Sequence, residues 1–201
     1  METPAKRNVF QLPCKVFETN MYLYIRKHHP IPLSDRKPMI TIRKADITML
    51  DTLMDIFEQG KRIMRKDGNM KQWTGGYPTE EIVRRDIENG NSYVCLDNEQ
   101  HVVGTFAFIP GADPTYAQIY NGAWLDDTRP YGVIHRLAST EESKGVASAC
   151  LEWCYRRMPN LRADTHRDNR ILQHIFKKHG FRYCGIIYLP NGDERLAYQK
   201  G

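Results

Sequence analysis

The sequence predicts an α/β domain with a mixed, mostly antiparallel central sheet and helices on both of its faces. From residue 39 onward, segments with strand or helix periodicity follow one another in the order β-α-α-β-β-β-α-β-α-β-β. Two short turns, "DNEQ" at 97–100 and "PNGD" at 190–193, each join two strand patterns, as in antiparallel hairpins. Two further pairs of strands are separated by a helix, and such crossovers place helices against the sheet.

Seven short segments have the composition and alternation of strands, and the first two helices have clear end signals. Asp46 can cap the first helix, Thr79 can cap the second, and Gly90 ends the second. The apolar positions of the first helix follow the 3.6-residue period: Leu50, Leu53, Met54 and Phe57. The strands are predicted at residues 40–44, 92–96, 101–109, 131–138, 161–166, 181–189 and 194–199.

The third and fourth helices are the two crossover elements. The third follows Lys144 and is ended by Pro159. The fourth starts at Asp168 or Asn169 and has Gly180 at the position after its C-terminal cap, where a left-handed backbone favours glycine. Both helices are therefore expected to connect neighbouring parts of the sheet.

Composition and charge set limits on the kind of protein. The chain has 201 residues, of which 41% are hydrophobic and 26% charged, as is usual for a soluble globular enzyme. It has neither an apolar run near the roughly 18 residues that span a bilayer nor a secretory signal pattern, so we expect a cytoplasmic protein without a membrane partner. Five cysteines without a C-x-x-C pair suggest reduced thiols, and no histidine or cysteine spacing suggests a metal site.

Residues 1–38 are predicted to be a basic N-terminal extension, and residues 39–201 a single domain. The extension lacks clear periodicity, is expected to be poorly ordered, and carries seven Lys or Arg against three acids, most of the net charge of +5. The nearly neutral domain argues against nucleic acid as its partner, because nucleic-acid-binding domains concentrate basic residues on a folded face. A basic arm that tethers nucleic acid is the weakest alternative.

A glycine-containing turn precedes the third helix in the segment "EESKGVASACLEWCYRR", residues 141–157. The free amides of a first helical turn and the helix dipole form an anion site. Gly145 would let a ligand approach the backbone, Lys144 adds a charge, and Ser143 and Ser148 offer hydroxyls. The segment matches neither the nucleotide-triphosphate loop nor the dinucleotide-binding fingerprint.

Together, these features resemble the Gcn5-related N-acetyltransferase (GNAT) superfamily over residues 39–200. The resemblance rests on the element order, the turn before the third helix, "DN" at 168–169 and "KHGF" at 178–181. It implies the acyl-CoA N-acyltransferase fold, acetyl-CoA as cosubstrate and no metal. The family's Arg or Gln before the glycine is replaced by Glu142.

The resemblance also implies which residues contact the coenzyme. The pantetheine arm would run beside Leu137, Ala138 and Ser139, and Asn169 is the matching side chain for a further contact, unless it is only a helix cap. The pyrophosphate would lie on the backbone amides of Lys144, Gly145, Val146, Ala147 and Ser148.

Acetyl transfer to an amine calls for a base, since an amine with a pKa of about 10.4 is neutral only to about one part in a few thousand at pH 7. Strand alternation places His135 and Leu137 on one face, which makes His135 the candidate base. A histidine packed in the sheet is the alternative. A backbone amide near Leu137 or Ala138 would polarise the thioester oxygen.

Other side chains bear on the leaving group and the acceptor. Many family members have a tyrosine acid where this chain has Phe176, so Tyr131 and Tyr188 are only loose candidates for that role. Trp73 and Tyr77 lie in the glycine-rich loop "KQWTGGYP" and are the candidate substrate-binding residues, because aromatic walls suit an amine with an apolar body or, through cation–π contact, its charged form. An ordinary packing role for Trp73 is the alternative.

The sequence thus favours an acetyl-CoA-dependent N-acetyltransferase acting on a small-molecule amine. One alternative keeps the fold but takes a peptide or protein amine as acceptor. Another is a non-catalytic CoA-binding or interaction module, suggested by Phe176 and Glu142. The sequence leaves open whether the chain forms a homodimer.

Overall fold

The computed structural model describes residues 39–201, so the predicted extension at 1–38 lies outside the described residues. Within that range the predicted order of strands and helices is confirmed. The strands are β1 Thr41–Lys44, β2 Ser92–Leu96, β3 Val102–Pro110, β4 Gly132–Ser139, β5 Leu161–Thr165, β6 Arg182–Tyr188 and β7 Glu194–Lys200. The α-helices are α1 Leu50–Lys66, α2 Glu80–Glu88, α3 Val146–Arg157 and α4 Arg170–Lys178.

The strands form one sheet in the order β1-β2-β3-β4-β5-β7-β6. All neighbours are antiparallel except β4 and β5, which confirms the mixed, mostly antiparallel sheet. The final hairpin is turned so that β7 lies beside β5 and β6 forms the edge.

Helix ends follow their capping residues. Thr79 accepts from the Ile82 amide and starts α2, and Gly180 follows α4 with φ of 80°. Asp46 also acts as a cap, but it first stabilises a short 3-10 helix, Ile47–Met49, before α1 begins. The predicted end signals therefore hold, with one extra turn at the first helix.

Two hydrophobic layers fix the helices on opposite faces of the sheet. On one face the apolar sides of α1 and α2 pack on the sheet around Leu53, Ile56 and Val94. On the other, α3 and α4 pack around Phe106 and Leu151. Burial of such side chains contributes roughly 1.5–3 kcal/mol each, so the two layers hold the central strands firmly.

Gly104 of β3 sets the position of α3. A Cβ at this residue would lie 2.4 Å from Cγ1 of Val146, the first residue of α3, and 2.9 Å from the Ala138 carbonyl oxygen. Glycine therefore lets the start of α3 lie directly on the centre of the sheet. No helix among residues 39–201 is both long and apolar enough to cross a membrane.

Candidate functional site

A cleft opens where the two parallel strands separate. β4 and β5 are paired only from Gly132 to Ile134 and from Leu161 to Ala163. Beyond these pairs lies a cavity of about 440 Å³, lined by β4, β5, α1, the first turn of α3, α4 and the β6–β7 turn. Because β5 no longer pairs with the second half of β4, backbone groups on that side of β4 are available to a ligand.

A β-bulge in β4 changes the directions of the side chains at the cleft. Ala107 is opposite His135 and Thr105 is opposite Ala138, so Arg136 and Leu137 together face Phe106. Arg136 takes the left-handed conformation, with φ of 51°.

The bulge places Leu137 against the core layer of α3 and α4, whereas the His135 ring contacts Tyr116 on the opposite face. The prediction that His135 and Leu137 share a face is therefore wrong. The extra residue of the bulge interrupts the two-residue alternation on which that prediction relied.

The bulge is held by a buried ion pair. Arg136 donates from Nε and one terminal nitrogen to the two carboxylate oxygens of Asp86, at 2.6 and 2.9 Å. Its other terminal nitrogen lies 3.2 Å from the hydroxyl of Tyr77. Burial alone would lower the pKa of Arg136, but Tyr77 and Asp86 outweigh it and raise that pKa. The same guanidinium therefore fixes the bulge and positions Tyr77 at the cavity.

His135, the predicted base, lines the cavity and is paired with a carboxylate. Its Nε2 lies 2.8 Å from Oδ2 of Asp113. Burial would raise the pKa of Asp113, but the hydrogen bond and charge of His135, with the Thr115 amide, lower it to about 2. If Nε2–H is donated to Asp113, Nδ1 is the nitrogen that can accept a proton.

Asp164 lines the cleft opposite His135. His135 follows the last paired residue of β4, and Asp164 follows the last paired residue of β5. The fully buried Tyr116 joins the two: its ring lies 5.6 Å from the His135 ring, and its hydroxyl donates to Oδ1 of Asp164 at 2.5 Å. Burial, followed by the charge of Asp164, raises the pKa of Tyr116 well above its usual value, so this tyrosine remains a donor.

The sequence analysis missed Asp113, Tyr116 and Asp164. Asp113 and Tyr116 come from an irregular stretch without periodicity, and only the fold brings them to His135. Asp164 had one signal, because it is a carboxylate inside a strand that is otherwise largely buried. A charge at such a position usually has a partner or a function.

The start of α3 has the open geometry of an anion site. Gly145 caps the helix with φ of 84° and no side-chain hydrogen bond, and an added Cβ would meet no atom within 4 Å. Ala149 donates to the Gly145 carbonyl, so the preceding amides have no partner within the helix. Val146 and Ala147 line the cavity, whereas Lys144, Gly145 and Ser148 lie beside it without lining it.

The two serine hydroxyls of this segment already have partners. Ser143 Oγ lies 3.1 Å from the Val103 carbonyl oxygen, and Ser148 Oγ lies 2.8 Å from Nε2 of His179. The two hydroxyls are therefore less available to an anion than expected. Ser143 Oγ can only accept a further hydrogen bond, and Ser148 Oγ shares its hydrogen bonding with His179.

The acidic residues before Gly145 are both exposed. Glu142, which stands where the family has Arg or Gln, is exposed in the loop before α3. Its neighbour Glu141 binds Arg62 Nε at 2.6 Å and Lys66 Nζ at 2.5 Å, both on α1. The loop is thus tied to α1 by Glu141.

Asn169 is a helix cap that also lines the cavity. Its Oδ1 accepts from the Leu172 amide at 3.1 Å, and its Nδ2 donates to Oε1 of Gln72 at 3.1 Å. Gln72 Oε1 also accepts from Nδ2 of the buried Asn69, at 2.8 Å. The start of α4 is therefore connected to the loop between α1 and α2.

The aromatic side chains divide into those that line the cavity and those that do not. Trp73 and Tyr77 both line it and lie next to each other, with ring centroids 6.4 Å apart. Phe176 also lines it and is buried. Tyr131 and Tyr188 do not line it: Tyr131 packs under Arg162, and Tyr188 packs on Tyr120. These two loose candidates for a leaving-group acid are therefore not placed at the cavity.

The comparisons with known proteins agree with this architecture. No family model and no curated protein matches the chain. Among solved structures, a GNAT-family acetyltransferase from Streptococcus agalactiae 2603 is 34% identical, over 80% of this chain and 94% of that one, with a TM-score of 0.73. The chain therefore belongs to the GNAT family.

More distant structures share the fold. A GNAT-family acetyltransferase from Listeria monocytogenes 4b F2365 is 16% identical, over 82% of this chain and 99% of that one, with a TM-score of 0.59. The NatC complex bound to Gag peptide and CoA is 15% identical, over 80% of this chain and 97% of the matched one, with a TM-score of 0.50.

Proposed function

We propose that this chain is an N-acetyltransferase that moves an acetyl group from acetyl-CoA to a small-molecule amine. One observation carries the proposal: a cavity between the separated strands joins the start of α3 to a histidine–carboxylate pair and an aromatic wall. Its volume of about 440 Å³ lies in the range of small-ligand sites.

The residues at one end of the cleft fit the coenzyme. The amides at the start of α3 have no partner within the helix, and the open space at Gly145 leaves room for a pyrophosphate. We assign the amides from Lys144 to Ser148 to the phosphates, the β4 backbone at Leu137, Ala138 and Ser139 to the pantetheine arm, and Asn169 to a further contact. Acetyl-CoA supplies the activated acetyl group as a thioester.

At the other end, His135 takes the proton of the attacking amine, and Asp113 keeps the imidazole in the required orientation. The amine nitrogen bonds to the acetyl carbon as the C–S bond breaks, and CoA leaves with its sulfur. A backbone amide at Leu137 or Ala138 polarises the carbonyl oxygen. Phe176 cannot donate a proton, so the thiolate leaves without an acid at that position.

The small-molecule acceptor is supported by the aromatic pair of Trp73 and Tyr77, which lies over the cavity. Tyr77 is fixed by Arg136, so this wall is part of the folded structure. A peptide acceptor would instead need a surface along which an extended chain can lie.

Free-thiol release from acetyl-CoA with a panel of amines tests the proposal, beside calorimetry with CoA. His135→Ala should lower the rate about 100-fold or more near neutral pH, as expected for loss of a general base. The matched control is His101→Ala, at an exposed histidine in the β2–β3 turn that should not affect the rate. If CoA does not bind, the proposed function is wrong. If the rate of His135→Ala is unchanged, His135 is not the base.

A further inference from the structure

The carboxylate of Asp164 has unused hydrogen-bonding capacity at the cavity. The side chain is only 13% exposed and lines the cavity. Its Oδ1 accepts from Tyr116, but its Oδ2 is 3.9 Å from the nearest paired cation, Nε of Arg195, which is too long for a hydrogen bond. A carboxylate so little exposed to water is stabilised by a closer cation.

The cationic side chains that line the cavity already face other carboxylates. Among the described residues, Arg136 is bound at both oxygens of Asp86. Arg195 donates to the Glu194 carbonyl oxygen and lies 3.5 Å from Oδ2 of Asp193. A ligand carboxylate would therefore compete with Asp193 for Arg195 and would lie near the charge of Asp164.

Asp164 is also in the right place relative to His135. Both residues are the first beyond the last β4–β5 pair, and both contact Tyr116 from the same face of the sheet. A cation bound at Asp164 would therefore lie on the same face of the sheet as His135, at the same cavity and with Tyr116 packed between the two side chains.

We propose that Asp164 binds the ammonium group of the acceptor, and that the acceptor is a primary amine with an apolar or aromatic body and no carboxylate beside the amine. This inference rests on the proposed function. Asp164, itself held by the Tyr116 hydroxyl, binds the ammonium at the cleft, and one N–H proton passes to Nδ1 of His135. The neutral amine then attacks the acetyl carbon, the C–S bond breaks, and the second N–H proton goes to the departing thiolate of CoA. Trp73 and Tyr77 lie against the body of the acceptor.

A paired panel tests the acceptor class on the unmodified protein. Tyramine and tryptamine are compared with tyrosine and tryptophan, which differ only by the carboxylate. We expect kcat/KM for each amine to exceed that for its amino acid by about 10-fold or more, as for a difference of one charged contact. Equal use of both members, or no acetylation of any member by a protein that binds acetyl-CoA, would overturn the acceptor class.

Variants test the residue. Asp164→Asn should raise the KM for tyramine about 10- to 100-fold and leave the KM for acetyl-CoA within about twofold. Asp193→Asn is the matched control, since that carboxylate lines the same cavity but is 47% exposed, and it should change the tyramine KM less than about threefold.

Calorimetry of tyramine with the CoA-loaded protein measures the same loss of affinity without turnover. An unchanged tyramine affinity in Asp164→Asn, or an equal loss in Asp193→Asn, would contradict the assignment. If Asp164→Asn does not fold, Tyr116→Phe, which removes one donor to the carboxylate, should still change tyramine affinity more than Asp193→Asn does. If CoA itself does not bind, the proposed function fails before this inference is reached.

Discussion

The ion pair between Arg136 and Asp86 should be one of the most sensitive points in the fold. Asp86→Asn leaves the guanidinium in place but removes the charge that balances it. Both side chains are nearly buried, at 11% and 12% exposure. Breaking a buried pair by removing one partner costs about 3–5 kcal/mol, and the remaining access to water favours the lower end, about 3 kcal/mol. At about 2–4 °C per kcal/mol for a domain of this size, the melting temperature should fall by about 6–12 °C.

Thermal and urea unfolding of the parent and the variant measure this loss. The control is Glu80→Gln on the same helix, which breaks the exposed pair with Arg84 and should cost no more than about 0.5 kcal/mol. A loss for Asp86→Asn as small as that of the control would show that the pair is not what holds the bulge. The variant should also raise the KM for the amine more than that for acetyl-CoA, since Arg136 positions Tyr77.

Three further predictions concern the proposed coenzyme site and the response to pH. Gly145→Ala should cost roughly 1–2 kcal/mol of stability, because the residue has φ of 84°, and should weaken CoA binding measured by calorimetry. The pKa of Asp113 is about 2 in the fold, against 3.8 for the free group, so its charged form stabilises the folded state fully above about pH 4 and this contribution is lost as the pH falls toward 2. Over that range the urea midpoint of Asp113→Asn should therefore fall less than that of the parent. Burial lowers the pKa of His179 below 6.5, so as the pH drops this histidine is protonated in the unfolded chain before it is protonated in the fold, and the free energy of unfolding decreases. His179→Asn should lose less stability than the parent between pH 7 and pH 5, measured by the same urea midpoints.

Much of the fold could be predicted because its signals are local. The cap at Thr79 and the glycine at 180 depend on a few neighbouring residues, and both are at the predicted positions. The spacing of apolar residues predicted the number and order of the helices and strands, because each of them buries one face and so repeats apolar residues at its own period. The order β5-β7-β6 was not predicted, because strand neighbours depend on contacts between distant segments.

The candidate site was harder to predict. Nothing local marks residue 136 as the centre of a bulge, since arginine seldom takes a left-handed conformation and its ion pair with Asp86 spans fifty positions of sequence. Asp164 is placed opposite His135 only because two strands separate after three pairs. Residues whose positions follow from one element were found, and those brought together by several elements were not.

Gln72 belongs to both sides of the cleft. Its amide oxygen accepts from Asn169 at the start of α4 and from Asn69 in the loop that carries Trp73. If the coenzyme takes the amide of Asn169, as we propose, the side-chain oxygen of Gln72 loses one of its two donors, next to the tryptophan of the same loop. In that case coenzyme binding at one end of the cleft would change the affinity for the acceptor at the other, and by reciprocity the acceptor would change coenzyme affinity by the same factor.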